Sequence, residues 1–191
     1  MVEGQLEEAV TPKLLAAAGI AVPPISNKHG GARFWADAPR INRTARSLPV
    51  FGLVDLEQAE CAGALIGRHL GGKPVPGFTL RIAVRMVESW LMADAESMAT
   101  ALGVNRRQIP ARPDLLQDPK RELTNLARRS RRIEVRSALV PSERSGARVG
   151  PGYLKFMRDY VQIQWRPVVA AERSPSLERA LRRLHEAKEA G

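Results

Sequence analysis

The sequence predicts an α/β fold in which helices flank a parallel β-sheet. Two short apolar runs, residues 48–54 and 78–84, have the length and composition of strands, and a segment with helical periodicity follows each of them. Their nearly continuous apolar character is typical of parallel strands that are covered on both faces. Strands that alternate with helices in this way form a parallel sheet with the helices packed on it.

The segment before the first strand is predicted to contain one helix and one loop. The apolar residues at its start recur at helical spacing: Leu6, Val10, Leu14 and Ala18. Pro12 lies within this pattern and indicates that the helix starts late or bends. Residues 23–39 are rich in proline, glycine, asparagine and histidine and show little periodicity, so we interpret them as an exposed loop.

Each of the two strands is followed by a predicted helix that ends at glycine. The first helix covers residues 58–70 and stops at Gly71-Gly72, where glycine favours a C-terminal cap. Within it we interpret Cys61, the lone cysteine, as a small buried apolar residue. The second helical pattern runs from Val87 through Leu102 and ends at Gly103.

The C-terminal part is predicted to be more helical than the rest. Asp118-Pro119 and Ser174-Pro175 both combine a capping residue with proline at the first helical position, which is typical of a helix N-terminus. Residues 141–152 are interpreted as a mobile basic loop. We expect residues 1–110 to form the core and residues 111–191 to complete the same domain.

Charge is distributed unevenly along the 191 residues, whose formal net charge is +10. Residues 1–100 hold ten Lys and Arg against ten Asp and Glu, and residues 101–191 hold twenty against ten. This asymmetry favours contact with nucleic acid, because neutralisation of phosphates supplies most sequence-independent affinity. The alternative is that the basic run is a solvated face. The candidate contacts are Arg128, Arg129, Arg131 and Arg132.

The sequence also bears on the class and location of the protein. No apolar stretch approaches the length needed to span a bilayer, and the N-terminus lacks the pattern of a signal peptide, so we expect a cytoplasmic protein without a membrane segment. The three histidines are isolated from one another, and no cluster of cysteine and histidine has zinc-binding spacing.

Carboxylates lie at the start of the chain and at the predicted end of the first strand. Glu3 and Glu7 belong to the first group, and Asp55 and Glu57 to the second. Ligands of parallel sheets bind outside the carboxyl ends of the strands, so these side chains can meet although about fifty residues separate them. Clustered carboxylates suit Mg²⁺ or Mn²⁺. Metal-assisted phosphoryl chemistry is therefore the leading hypothesis.

Several short motifs give the chain a resemblance to a known family over nearly its whole length. They are Val2-Glu3-Gly4 with Glu7, Asp55-x-Glu57, Val87-Glu88-Ser89-Trp90-Leu91-Met92-Ala93-Asp94, Asp118-Pro119-Lys120, Trp165-Arg166-Pro167 and Ser174-Pro175-Ser176-Leu177. In order and spacing they resemble the bacterial domain of unknown function 4276 family. That family is similar to Toprim domains, particularly those of the overcoming-lysogenization-defect nucleases, which work beside an ABC-type ATPase.

The resemblance implies roles for individual residues. Glu3 and Asp55 match the catalytic glutamate and the first aspartate of the Toprim motifs, and Glu57 stands where a second aspartate is usual. Lys120 is the candidate cation for a transition-state phosphate, with Lys155 as an alternative. Of the two acids in the third motif, Glu88 is preferred to Asp94. The implied metal ligands are Glu3, Glu7, Asp55, Glu57 and Glu88.

The resulting expectation is a Toprim-like (Rossmann-like) parallel sheet with a basic helical C-terminal part that acts as an Mg²⁺- or Mn²⁺-dependent nuclease. The resemblance implies nucleic acid as substrate, DNA before RNA, and a partner ATPase in phage defence or DNA maintenance. One alternative is a nuclease of structured RNA. Another is a non-catalytic module that binds nucleic acid or an ATPase.

Overall fold

The sheet consists of two parallel strands, β1 (Val50–Asp55) and β2 (Phe78–Ala83), in the computed structural model, which describes residues 1–189. Their register pairs Val50 with Phe78 and Asp55 with Ala83, so both strands end at the same edge. The predicted combination of a parallel sheet with flanking helices is confirmed.

Residues 1–3 extend the sheet on the other side of β1. The amide of Leu53 donates to the carbonyl of Met1, and the amide of Glu3 donates to the carbonyl of Leu53, each at 3.1 Å. Val2 thereby forms parallel bridges to Leu53 and, on its other side, to Asn27. This pairing holds Glu3 beside the C-terminal end of β1.

Helices account for most of the remaining structure. Within residues 1–189 they are α1 (Gln5–Ala17), α2 (Gly31–Thr44), α3 (Ala62–Leu70), α4 (Val87–Ala93), α5 (Ala95–Leu102), α6 (Pro119–Arg128), α7 (Ile133–Leu139), α8 (Tyr153–Ile163), α9 (Pro167–Ala171) and α10 (Pro175–Glu189). Two short 3-10 helices, Arg106–Gln108 and Pro113–Leu115, connect α5 to α6.

The hydrophobic core has two parts, one on each face of the sheet. Because successive side chains of β1 point to opposite faces, neighbouring residues of the strand pack in different parts. Leu53 packs with the buried residues of α1, α4, α5, α6, α8 and α10, whereas Val54 packs with those of α2 and α3. The larger part joins both halves of the chain. Within it, the indole N–H of Trp90 donates to Ser176 at 2.6 Å, and that of Trp165 donates to the carbonyl of Trp90 at 3.3 Å.

The predicted C-terminal ends of α3 and α5 and the predicted N-terminal ends of α6 and α10 are confirmed, whereas α3 begins at Ala62 and not at the predicted residue 58. Gly71 and Gly103 adopt the left-handed conformation at the C-terminal ends of α3 and α5, with φ of 68° and 65°. Asp118 caps α6 by accepting from the amide of Arg121 at 3.0 Å. Ser174 accepts from the amide of Leu177 at 3.2 Å at the start of α10.

The interpretation of residues 23–39 as an exposed loop is wrong for its second half, which forms α2. The helix buries Phe34, Trp35 and Ala38 on one face, and the ring of Trp35 stacks on His69 of α3 at 4.4 Å between centroids. Burial of these aromatic rings outweighs the cost of Pro39, which removes one hydrogen bond from the interior of the helix.

Two smaller expectations also need correction. Cys61 is exposed and is not a buried helical residue; it caps α3, its sulfur accepting from the amide of Ala64 at 3.4 Å. Of the two alternatives for α1, the late start is wrong, because the helix begins at Gln5 and contains Pro12 in its interior. Residues 140–152 do form an irregular connection between α7 and α8.

None of the helices described between residues 1 and 189 combines the length and the apolar character required for a membrane span.

Candidate functional site

A cleft of about 380 Å³ lies at the C-terminal ends of β1 and β2. We call it the central cleft. Its ionisable lining comes from the N-terminal segment, the end of β1, and the starts of α4, α6 and α8: Glu3, Glu7, Asp55, Glu57, Glu88, Lys120 and Tyr153. The structure therefore brings all five predicted metal ligands and the predicted catalytic lysine to one cavity.

The N-terminal segment contributes two carboxylates. Glu3 is fixed by its backbone pairing with β1, and its Oε2 accepts from the amide of Asp55 at 3.1 Å. Glu7 lies in the first turn of α1 and is buried. Between them, a Cβ atom at Gly4 would lie 2.8 Å from Oε2 of Glu7. The glycine thus leaves room for the Glu7 carboxylate at the floor of the cleft.

The end of β1 contributes Asp55 and Glu57 by different means. Asp55 is the last residue of the strand, and its Oδ1 accepts from the amide of Val87 at 2.9 Å, which ties β1 to the start of α4. Glu57 lies beyond the strand with φ of 50°, in the left-handed region that non-glycine residues seldom adopt. The position of Glu57 in the cleft is therefore set by a turn and not by the alternation of side chains along β1. The guanidinium of Arg85 stabilises this turn by donating to the Glu57 carbonyl at 3.1 Å.

Glu88 is the second residue of α4 and is only 2% exposed. Its Oε1 accepts from the hydroxyl of Tyr153 at 3.0 Å and lies 3.5 Å from Nζ of Lys120. Its Oε2 is buried and has no hydrogen-bond partner within residues 1–189. Such an oxygen is costly, because burial removes its water without supplying another donor.

The cleft concentrates negative charge in a poorly solvated place. Burial, with the charges of Glu88 and Glu3, raises the pKa of Glu7 to about 7. Burial and the neighbouring carboxylates also raise the pKa of Asp55 well above its ordinary value, and burial raises that of Glu3. Desolvation and mutual repulsion both disfavour ionised carboxyl groups, so positive charge in the cleft would stabilise their ionised forms.

Lys120 supplies part of that charge. Its burial would lower the pKa of the ammonium group, but the charges of Glu88 and Asp55 outweigh burial and raise it. Lys120 is therefore charged at neutral pH. Burial and the charge of Glu88 raise the pKa of Tyr153 well above its ordinary value, so its hydroxyl stays protonated and serves as a donor to Glu88.

The carboxylates share the cleft but do not converge on one point. Within the described part of the chain, no three side chains of the types His, Cys, Asp and Glu form a group that could hold a metal ion. The hydrogen bonds explain this: Glu3, Asp55 and Glu88 each direct one oxygen at a donor of the protein. The donor chemistry suits a hard divalent cation, and these side chains would have to turn to surround it.

Other candidate residues lie outside the central cleft. Asp94, the second acid of its motif, caps α5 and accepts from the guanidinium of Arg166 at 2.7 and 2.9 Å. Lys155 is exposed and pairs with Asp159. All four candidate arginines are exposed, and Arg132 in addition donates to the carbonyl of Ala101 at 3.4 Å.

Sequence reasoning missed Tyr153 as a residue of the site. The first turn of α8 brings it to Glu88, 65 residues away along the chain. No motif surrounds it, and only the packing of α8 against α1 and α7 places it there.

Comparison of the chain with models of known families, with curated proteins and with solved structures found no match.

Proposed function

We propose that the central cleft is the active site of a Toprim-like nuclease that hydrolyses phosphodiester bonds with Mg²⁺ or Mn²⁺. One observation carries the proposal: Oε2 of Glu88 is buried and unpaired among the described residues, in the same cleft as the buried carboxylates of Glu7 and Asp55. A buried carboxylate oxygen that has no hydrogen-bond donor and is surrounded by further carboxylates would be stabilised by a bound cation.

The fold supports the Toprim-like assignment in its general features. Acidic residues from separate parts of the chain meet outside the carboxyl ends of parallel strands, which is where open α/β sheets bind ligands. The glutamate nearest the N-terminus, Glu3, is carried on a segment paired directly with β1. This arrangement agrees with the motifs that carry the resemblance.

Each residue has a distinct role in the proposed reaction. Glu3, Glu7, Asp55, Glu57 and Glu88 would hold the cation, which when bound supplies Lewis-acid stabilisation of negative charge on the phosphate. Lys120 is charged and lines the cleft, so it can neutralise charge that develops on the phosphate oxygens. Tyr153 holds Glu88 in place through its hydrogen bond.

The resemblance alone suggests the wider setting. We propose that the substrate is DNA in preference to RNA and that the protein works with an ABC-type ATPase in phage defence or DNA maintenance.

A non-catalytic role is the second candidate, and one observation favours it. The described carboxylates do not form a ready metal-binding group, as expected of a module that binds nucleic acid or a partner without cutting. Metal binding decides between the two candidates, because only the nuclease requires it.

The test measures the melting temperature with and without millimolar Mn²⁺. A cation that binds only the folded state stabilises it by mass action, so we expect the melting temperature of the wild type to rise by several degrees. Asp55→Asn keeps an acceptor for the amide of Val87 and removes one negative charge. It should melt higher than the wild type without metal and gain little from Mn²⁺.

The matched control is Asp94→Asn, which removes a buried negative charge outside the cleft and should retain the gain from Mn²⁺. Cleavage of single-stranded DNA and RNA with either cation completes the experiment. An equal Mn²⁺ response in the wild type and Asp55→Asn, or no response in either, would contradict the metal site and leave the non-catalytic role.

A further inference from the structure

A second cavity adjoins the central cleft on the side of α6. It has a volume of about 260 Å³, and its charged lining consists of Asp118, Lys120, Arg121, Arg128 and Arg148. We call it the basic cavity. Lys120 lines both cavities, so they meet at this lysine. The basic cavity is thus the space next to the central cleft that a ligand extending past Lys120 would reach.

The basic cavity has an excess of positive charge. Its one carboxylate, Asp118, accepts from the amide of Arg121 at 3.0 Å and from the guanidinium of Arg148 at 2.7 Å. The guanidinium of Arg128 donates to the neutral Oδ1 of Asn125 at 2.7 Å. Within residues 1–189, neither Arg121 nor Arg128 forms a salt bridge, so both retain donors for an anion.

The rest of the basic run has a different environment. Arg129, Arg131 and Arg132 do not line the basic cavity. The side chain of Arg132 packs against Gly103, where an added Cβ would lie 3.0 Å from its Cγ, and Arg136 donates to the carbonyl of Ser130 at 2.5 Å. Of the four arginines predicted to contact nucleic acid, only Arg128 lines the cavity that shares Lys120 with the central cleft.

A third cavity adjoins the central cleft at the end of β1 and is lined in part by residues of α2 and α3. It has a volume of about 460 Å³ and shares Glu3, Asp55 and Glu57 with the central cleft. The central cleft thus has one neighbouring cavity at Lys120 and another at Glu3, Asp55 and Glu57, which provides space for a substrate longer than a single phosphoester. A small phosphoester would fill only the middle of this arrangement.

We propose that the basic cavity binds a non-scissile phosphate of a polynucleotide strand whose scissile phosphate occupies the central cleft. The inference rests on the proposed function and extends it, because it requires a substrate with phosphates in series. Arg121 and Arg128 are the positioning residues. Guanidinium groups suit this task because they can donate two parallel hydrogen bonds to one phosphate.

The first test measures binding of a fluorescent single-stranded oligonucleotide in EDTA as a function of salt concentration. The double variant Arg121→Ala, Arg128→Ala should flatten the dependence of log affinity on log salt by about 0.7 for each phosphate that it no longer neutralises. The matched control, Arg129→Ala with Arg131→Ala, removes the same charge from exposed positions outside the cavity and should keep the wild-type slope. Melting temperatures verify that both variants fold.

The second test compares two substrates in the presence of Mn²⁺. For the oligonucleotide, kcat/KM of the cavity variant should fall about tenfold, as expected when a charge-assisted hydrogen bond to the substrate is removed. For bis(p-nitrophenyl) phosphate, which has a single phosphodiester, kcat/KM should be unchanged because nothing enters the basic cavity.

The outcomes separate this inference from the function on which it rests. Equal salt slopes for the cavity variant and the control, or no binding of the strand by the wild type, would overturn the phosphate site. That result together with cleavage that requires Asp55 would leave the nuclease proposal intact. Binding that depends on Arg121 and Arg128 without cleavage under any cation would support the phosphate site and contradict the nuclease.

Discussion

Glu88 shows how one residue can connect the two halves of the chain. It lies in the first turn of α4, yet both groups that bind its Oε1 come from the C-terminal half, Lys120 from α6 and Tyr153 from α8. Buried carboxylates generally require paired donors for both oxygens. The described structure provides them for one oxygen only, so the site is electrostatically incomplete without a further cation.

Glu7 makes the stability of the metal-free protein depend on pH. Its pKa of about 7 lies above the ordinary value of 4.5, so between these values the folded state holds a proton that the unfolded state has released. Stability then falls as pH rises through this window and levels off above it. For Glu7 alone the decrease corresponds to about 3 kcal/mol.

We therefore predict that Glu7→Gln weakens the fall in stability between about pH 5 and pH 7 and raises the free energy of unfolding at about pH 8 by 1–3 kcal/mol. Urea denaturation in EDTA measures both quantities. Glu8→Gln, on the same helix but outside the cleft, reports the effect of removing a negative charge from α1. A variant at Glu7 with the full wild-type pH dependence would contradict the assignment.

At the scale of elements, the junction between α4 and α5 stabilises the fold and takes no part in the central cleft. Asp94 is fully buried, caps α5 and binds Arg166 at the start of α9. Burial alone would raise its pKa, but the hydrogen bonds from Arg166 outweigh it and lower the pKa. This contribution to stability is present at neutral pH and disappears as pH falls through the lowered pKa.

We predict that Asp94→Ala lowers the free energy of unfolding by about 2–4 kcal/mol, because it removes a helix cap and leaves the partly buried amides of Ser97 and Arg166 without an acceptor. Arg166→Ala should cost less, since its guanidinium is partly exposed and water can replace it at Asp94. Chemical denaturation at neutral pH compares the two. Neither variant should change the rise in melting temperature with Mn²⁺, and absence of that rise would assign Asp94 to the metal site.

The sequence predicts those elements whose signals are local. The strands are apolar runs bounded by turn residues, and α3, α5, α6 and α10 have caps that can be recognised within four residues, such as Asp118 before Pro119. Helix α2 is not predicted, because Pro39 and the flanking glycines give its segment a composition typical of a loop. The stabilisation gained by burying Phe34 and Trp35 depends on a sheet that is distant in sequence. Tyr153 is not predicted for the same reason: only tertiary packing brings it to Glu88.

The whole molecule combines an acidic cleft with a basic half. The first hundred residues are neutral overall and provide all five carboxylates, whereas the remaining residues carry the excess positive charge and provide Lys120. The basic cavity and the central cleft share that lysine. A polyanion can thus be attracted by the C-terminal half, while the negative potential of the cleft opposes entry of a phosphate until a cation is bound.

The state of the carboxylates leads to a last prediction, that the isolated chain cleaves nucleic acid slowly and that a second protein accelerates it. Three of the five carboxylates are held by donors of the protein, and the described carboxylates do not form a ready metal-binding group, so assembly of the site requires side chains to reorient around the cation. When catalytic groups are not pre-organised, the enzyme loses much of the several kcal/mol by which positioning lowers the activation free energy. A partner that shifts α6 or α8 would move Lys120 and Tyr153 and release Glu88.

The measurement is metal-dependent cleavage of plasmid, single-stranded DNA and RNA by the purified chain, alone and with the product of any neighbouring ATPase gene. Rapid cleavage by the isolated wild type that Asp55→Asn abolishes would contradict the need for a partner and support the site itself.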